Sequence, residues 1–304
     1  MVSIFLDNLL PVLLCAALGF VIHRNLRLDI RAVSQLVFYV FSPSLVFHSL
    51  LTSEVGGAAL ARMTGFTLAV VIVMLAAGAL TGWALRLDRR SWATLVVTST
   101  FVNGGNFGLA IVRFAFGPEA LSYAVAFYIA STFAVYTAGV FVAGLGRADA
   151  RSAARELLKV PAFYGVIAAE VLRLAGLSLP VALDRAVSLM ADAAIPVMLV
   201  VLGMQISASR LNALARRQWL SVSASAALQL LAAPAAAWLL SALFGLEGGA
   251  RQAGILQASM PAAVVTTVIA MQYDLEIELA TAAVVVTTVL SPLTLTPLIY
   301  FLGG

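Results

Sequence analysis

The sequence predicts an all-α membrane protein with ten transmembrane helices. They form two inverted five-helix repeats whose broken spans, the fourth and the ninth, cross each other. Composition is the first observation, since 62% of the 304 residues are hydrophobic and only 11% are charged, whereas a soluble domain carries about 25% charged residues. The second observation is a series of apolar segments of membrane-spanning length. The third is a set of sequence markers that recur in both halves of the chain.

About 20 apolar residues cross the hydrocarbon core of a bilayer, and the chain contains ten such segments. The connections after spans 1, 3, 5 and 7 hold 13 of the 18 basic residues, so the positive-inside bias predicts an inner-membrane protein with both termini outside the cytoplasm. The acidic turn after span 9 is an exception, but acidic residues contribute little to this bias. Basic residues scattered in this way do not form a nucleic-acid-binding face. The predicted spans are 4–23, 32–51, 63–85, 92–116, 120–146, 160–178, 183–206, 218–244, 251–271 and 279–301.

Four markers recur in the same order in both halves of the chain, with an offset between 150 and 158 residues. They predict a first repeat at 1–146, a cytoplasmic connector at 147–159 and a second repeat at 160–304. Because each repeat holds an odd number of spans, the second runs upside down relative to the first, as in many secondary transporters. The markers are Pro11 and Pro161, Arg31-Ala-Val-Ser and Arg185-Ala-Val-Ser, Pro43 and Pro196, and Asn103 and Pro261.

Two spans at equivalent places in the repeats carry helix-breaking residues. Span 4 contains Asn103-Gly104-Gly105-Asn106, and span 9 contains Met260-Pro261-Ala262. Broken backbone in a bilayer persists where it lines a polar cavity, and the second half of a broken helix directs free N–H groups and partial positive charge at the break. Together with the asparagine amides, these groups predict a carboxylate-binding site. A proline or glycine kink closed by neighbouring helices is the structural alternative.

Other polar residues within spans have weaker interpretations. Asp192, one turn before Pro196, is a candidate carrier of a coupled proton or a structural hydrogen-bond acceptor. His48 is a core histidine or part of a pathway, and Arg113 lies where it can extend to the membrane surface or attract anions. Glu170 and Arg173 are predicted to pair on one helix face. Gly78 and Gly82 are predicted to allow close helix packing.

No catalytic or nucleotide-binding motif is present, and the single cysteine, Cys15, excludes an internal disulfide and a cysteine-based metal cluster. The chain is therefore predicted not to be an enzyme. No metal and no cofactor are expected, apart from a coupling proton or sodium ion. The expected partners are a small carboxylate solute and the lipid bilayer, with a homodimer as an open alternative to a monomer.

Several motifs resemble those of the auxin efflux carrier family in its short bacterial form. The resemblance covers nearly the whole chain, from span 1 to span 10. Val102, however, stands where plant members have the proline of span 4. The matching motifs are Ser99-Thr100-x-x-Asn103 with Gly108, Gln257-Ala258-x-x-Pro261 with Tyr273, Pro43-x-x-x-Phe47-His48, Tyr136-Thr137, and Asp192-Ala-Ala-Ile-Pro196 with Leu202-Gly203.

The resemblance implies elevator-like export of organic anions such as auxin-like monocarboxylates or small dicarboxylates. It places Asn103 on the substrate carboxylate, with Ser131, Tyr136, Val46 and Pro261 lining the site. Gln257 and His48 join Asp192 as candidates for ion coupling. Two other functions remain open: a sodium-coupled organic anion symporter of the bile-acid type, and a membrane sensor that binds the solute without transporting it.

Overall fold

A computed structural model describes residues 1–53, 55–144, 158–208 and 214–303. Within these ranges the chain is helical, and the one β-type contact is an isolated bridge between Val102 and Ala262. The predicted connector at 147–159 lies almost wholly outside the described residues. We number the helices in chain order: α1 (Val2–Leu26), α2 (Ile30–Leu51), α3 (Gly57–Ala84), α4 (Arg89–Thr100), α5 (Gly104–Ala143), α6 (Pro161–Leu174), α7 (Val181–Ala208), α8 (Arg216–Leu243), α9 (Gly248–Ala258), α10 (Val265–Gln272) and α11 (Ile277–Gly303).

Seven of the described helices, α1, α2, α3, α5, α7, α8 and α11, are long and apolar enough to cross a membrane. Large apolar side chains such as Trp83, Leu174, Leu243 and Leu293 are exposed on the outside of the bundle, as expected for a surface that faces lipid. The protein is therefore a multi-pass membrane protein. Predicted span 6 corresponds to the 14-residue α6, and spans 4 and 9 are each divided between two helical segments.

Local sequence explains where several helices begin and end. Asp88 precedes α4, and its carboxylate accepts hydrogen bonds from the backbone N–H groups of Arg90 and Ser91, which is the usual function of an N-cap aspartate. Inside α5, Gly117 adopts φ +80° immediately before Pro118, a conformation that glycine adopts without strain. This break separates a first arm, residues 104–116, from a second arm, residues 118–143.

The helices pack in two groups. The first group consists of α1, α2, α6 and α7, and the second consists of α3, α4, α5 and α8 to α11. Glycines allow close contact within the first group, since a Cβ atom at Gly203 would lie 1.7 Å from the carbonyl oxygen of Ala16. In the second group, Gly78 and Gly82 of α3 pack against Ser99 and Trp92 of α4, which confirms the close packing predicted for this pair.

Ion pairs lie at the ends of the helices. The acidic turn after α10 meets the start of α4, where Asp274 pairs with Arg90. Glu170 and Arg173 pair on α6, with 3.4 Å between Oε2 and Nη2, as predicted. The acidic turn after α10 is thus next to the basic connection that precedes α4, so both lie at the same end of the bundle.

Candidate functional site

Two interrupted helices meet in the second group. The chain between α4 and α5 and the chain between α9 and α10 run antiparallel at the bridge of Val102 and Ala262. The Asn103 N–H donates to the Pro261 carbonyl oxygen at 2.7 Å, and the Ala263 N–H donates to that of Phe101 at 2.8 Å. Main-chain groups released by one break are therefore satisfied by the other, as an environment without water requires.

The glycines of the first break make room for two large side chains. A Cβ atom at Gly104 or Gly108 would lie 2.8 Å or 2.3 Å from Oε1 of Gln257, and one at Gly105 would lie 2.8 Å from the ring of Tyr128. Cβ atoms essentially never approach another heavy atom this closely, so the absence of a Cβ at each glycine allows a side chain to reach the backbone. The Gly-Gly-Asn-Phe-Gly run thus forms a groove that accommodates Gln257 on one side and Tyr128 on the other.

Buried carboxamides and a hydroxyl group satisfy further backbone groups at the crossing. The side chain of Gln257 is fully buried, and its Nε2 donates to the carbonyl oxygens of Gly104 at 3.3 Å and Ala124 at 3.4 Å. Gln229 of α8 donates from Nε2 to the Met260 carbonyl oxygen at 3.1 Å. Thr287 of α11 accepts a hydrogen bond from the Ala262 N–H at 3.1 Å.

A cavity of about 180 Å³ lies beside the two breaks, and we call it the crossing cavity. It is bounded by α2, both arms of α5, the start of α6 and the second break. Within the described part of the chain, none of the residues that line it carries a charge. They are Phe38, Ser42, Val102, Asn103, Gly105, Asn106, Tyr128, Ser131, Thr132, Val135, Tyr136, Val160, Ala162, Ala263, Val264 and Val265.

Hydrogen-bond donors face this cavity without acceptors. Asn103 is 5% exposed, and its Nδ2 is buried with no hydrogen-bond partner. The N–H groups of Gly104, Gly105 and Asn106 begin α5, so they have no acceptor within the helix. The first arm of α5 also places part of the positive charge of a helix N-terminus at this end. The arrangement is suited to an anion, because it offers donors and partial positive charge without a buried cation.

Five of the residues predicted from the sequence line the crossing cavity: Asn103, Gly105, Asn106, Ser131 and Tyr136. Gly104, Pro261 and Ala262 are buried within the crossing itself. Val46 is fully buried among core residues of α2 and is not part of the lining.

The candidates for ion coupling do not lie together. Gln257 is inside the crossing, whereas His48 and Asp192 line a separate cavity of about 690 Å³. Asp192 is exposed to that cavity. In the described ranges, no three His, Cys, Asp or Glu side chains lie close enough to hold a metal ion.

Sequence reasoning missed five polar residues at this site: Ser42, Tyr128, Thr132, Gln229 and Thr287. The hydroxyl oxygens of Ser42 and Tyr128 are 3.2 Å apart in a hydrogen bond that joins the two helix groups. A signal was available for Gln229, which is a carboxamide in the apolar run Ala-Ala-Leu-Gln-Leu-Leu-Ala-Ala. Serine, threonine and tyrosine are too common in membrane helices to be singled out in the same way.

Two broken helices beside a polar cavity in a polytopic helical bundle are typical of secondary membrane transporters. Comparison with known proteins gives the family: the profile of the family described as Membrane transport protein, the auxin efflux carrier type, matches residues 4–150 and again residues 147–300. The chain belongs to this family.

Two archaeal relatives are similar over nearly their whole length. An uncharacterized transporter from Methanothermobacter thermautotrophicus is 26% identical over 296 residues, which is 94% of each chain. Another, from Methanocaldococcus jannaschii, is 23% identical over 269 residues, or 86% of each chain.

Proposed function

We propose that this membrane transporter is a secondary active carrier that exports small organic carboxylates and binds them in the crossing cavity. The observation that carries the proposal is the buried, unpartnered Nδ2 of Asn103 next to the free N–H groups at the start of α5. A buried donor without a partner costs about 1–3 kcal/mol, and a carboxylate oxygen would remove that cost.

The size and lining of the cavity favour a small solute. Its volume of about 180 Å³ is below the 300–1,000 Å³ typical of sites for drug-sized ligands. The hydroxyl groups of Ser131, Thr132 and Tyr128 can bind polar atoms of the solute, while Phe38, Val102 and Val264 offer apolar contact. Small monocarboxylates and dicarboxylates have these properties.

The two helix groups and the positions of the cavities support a mechanism of alternating access. In the proposed mechanism, the second group carries the crossing cavity past the first group in an elevator-like movement. A third cavity of about 580 Å³ between α7, α10 and α11 shares the lining residue Val264 with the crossing cavity, which supports an access route from one side. Further along α2, the cavity that contains Asp192 opens beside residues 45–53 and supports a route from the other side.

The full architecture in the proposal is ten spans in two inverted repeats. The four markers that recur in both halves of the chain, at an offset between 150 and 158 residues, support it. The positions of the basic connections support an inner-membrane protein with both termini outside the cytoplasm. Coupling to a proton gradient would use Asp192 or His48, and Asp192→Asn would then remove the pH dependence of transport.

A transport assay with a matched control tests the proposal. Purified protein in liposomes is expected to exchange labelled monocarboxylates or dicarboxylates, and Asn103→Ala should weaken their binding by about 1–3 kcal/mol. Asn8→Ala is the control, because Asn8 bonds to the Ile4 carbonyl oxygen at 3.0 Å and is not part of the crossing cavity. Equal carboxylate affinity in Asn103→Ala and Asn8→Ala would refute the proposed site.

A sodium-coupled symporter of organic anions is the second candidate. The observation in its favour is that Oε1 of Gln257 and Oε1 of Gln229 are buried acceptors with no hydrogen-bond partner. Oxygen atoms of this kind can coordinate a hard cation. Sodium-dependent uptake that is lost in Gln229→Leu would favour the symporter, and flux that is independent of sodium would favour the carrier.

A further inference from the structure

A second cavity, separate from the crossing cavity, is lined by charged side chains of both signs. It measures about 690 Å³ and lies between the end of α2, the start of α3, the break in α5 and the first half of α7. We call it the charged cavity. None of its lining residues also lines the crossing cavity. Its ionisable members are His48, Arg113, Glu119, Tyr123 and Asp192.

Charges of both signs face the charged cavity without neutralising one another. Arg113 comes from the first arm of α5, Glu119 from the start of its second arm and Asp192 from α7. Among the described residues no ion pair joins Arg113 to either carboxylate. A simple anion here would meet two carboxylates, and a simple cation would meet a guanidinium group. A solute with one charge of each sign can satisfy both.

Buried hydroxyl groups also face this cavity. Ser49 and Ser122 line it and are only 9% and 7% exposed, and neither hydroxyl group forms a hydrogen bond within the described part of the chain. Nδ1 of His48 is likewise buried without a partner. Side chains in this position normally find a partner, so their orientation points to a ligand or to ordered water in the cavity.

The break in α5 adds further donors. Its second arm begins at Pro118 after the turn at Gly117, so the N–H groups of Glu119 and Ala120 have no acceptor within the helix. They lie at the positive end of a 26-residue arm. The guanidinium group of Arg113 can bind a carboxylate through two parallel hydrogen bonds. A carboxylate is therefore favoured at the α5 end of the cavity.

We propose that the charged cavity binds a zwitterionic solute of the amino-acid type. The solute carboxylate contacts Arg113, Ser122 and the start of the second arm, and its ammonium group contacts Glu119 and Asp192. This site does not depend on the carboxylate site of the crossing cavity, because the two share no residue. It extends the range of ligands from simple carboxylates to solutes that also carry an amine.

Binding to the purified full-length protein tests the proposal. The twenty L-amino acids are screened by thermal stabilisation, which reports ligands that bind the native state. We expect at least one to stabilise the protein, and its deaminated and decarboxylated analogues to bind about tenfold more weakly or worse. The proposal fails if no amino acid binds, or if the deaminated analogue binds as tightly as the zwitterion.

Variants then assign the site. Arg113→Gln and Glu119→Gln should each weaken amino-acid binding by about tenfold or more, and Arg113→Lys should retain part of it. Arg62→Gln is the control, since Arg62 is an arginine outside the charged cavity. Melting of each variant without ligand shows whether it is folded. Binding that is lost in Asn103→Ala but kept in Arg113→Gln would place the amino acid in the crossing cavity and overturn the proposal. The effect of Asn103→Ala on carboxylate flux tests the proposed function separately.

Discussion

Gly108→Ala should destabilise the protein because Gln257 occupies the space that a methyl group needs. The new Cβ would lie 2.3 Å from Oε1 and 2.9 Å from Cδ of Gln257, and 3.0 Å from Cγ of Met260. The backbone is not the obstacle, because Gly108 already has helical φ −68° and ψ −42°. Gln257 would therefore have to move away from the groove and lose its two hydrogen bonds.

The magnitude follows from three terms. Overpacking lowers the free energy of unfolding by about 2 kcal/mol, and each of the two lost hydrogen bonds lowers it by about 1 kcal/mol. Replacing a helical glycine by alanine raises it by about 1 kcal/mol. The free energy of unfolding should fall by about 3 kcal/mol. Reversible unfolding by a denaturing detergent in mixed micelles measures this difference directly.

A matched control and a double mutant separate this cause from a general effect of adding a methyl group. A Cβ at Gly249 in α9 would lie 3.6 Å from Ala120, an ordinary contact, so Gly249→Ala should be neutral or stabilising. In a Gln257→Ala background, the cost of Gly108→Ala should fall below about 1 kcal/mol, because the clash is gone. A cost that is the same with and without the Gln257 side chain would refute the reasoning.

Two further predictions concern other parts of the fold. Gly203→Ala should destabilise the first helix group by at least about 3 kcal/mol. Its Cβ would lie 1.7 Å from the backbone oxygen of Ala16, so α1 and α7 would have to separate. A free energy of unfolding equal to that of Gly249→Ala would contradict this prediction. Asp88→Ala should cost about 0.5–2 kcal/mol at neutral pH through loss of the N-cap of α4. Burial opposes ionisation of Asp88, but hydrogen bonds from Ser91 and Arg90 outweigh it and hold the pKa of the carboxyl below its usual value. The cap therefore stabilises fully above the unfolded pKa and is lost as pH falls through the folded pKa, so unfolding measured across that range should show the variant and the wild type converging in acid.

The positions of the two breaks could be predicted from sequence, because their signals are local. Asn103-Gly-Gly-Asn106 and Met260-Pro261 are unfavourable in a continuous helix whatever surrounds them. That the two breaks face each other followed from their equivalent places in the two halves. The inward position of Asn103 followed as well, since an amide group in lipid needs a partner.

The rest of the site depends on how the helices are rotated, which the sequence does not indicate. Spans such as 63–85 and 279–301 are apolar around the whole circumference, so their pattern does not show that Thr287 meets Ala262. Val46 illustrates the same difficulty, because its place in span 2 is compatible with facing the cavity or the core, and the structure places it in the core. Asp192 is a further example, because its place within an apolar span does not indicate that a wide cavity opens beside it.

The bridge between the two breaks does not require a backbone N–H at position 102. Its hydrogen bonds use the N–H groups of Asn103 and Ala263, while the N–H of Val102 donates to no acceptor within the described residues. Proline at position 102, which has no backbone N–H, would therefore remove no hydrogen bond. A chain with proline at position 102 and this chain with valine can form the same junction, because main-chain hydrogen bonds, rather than any one side chain, hold the two backbone segments together.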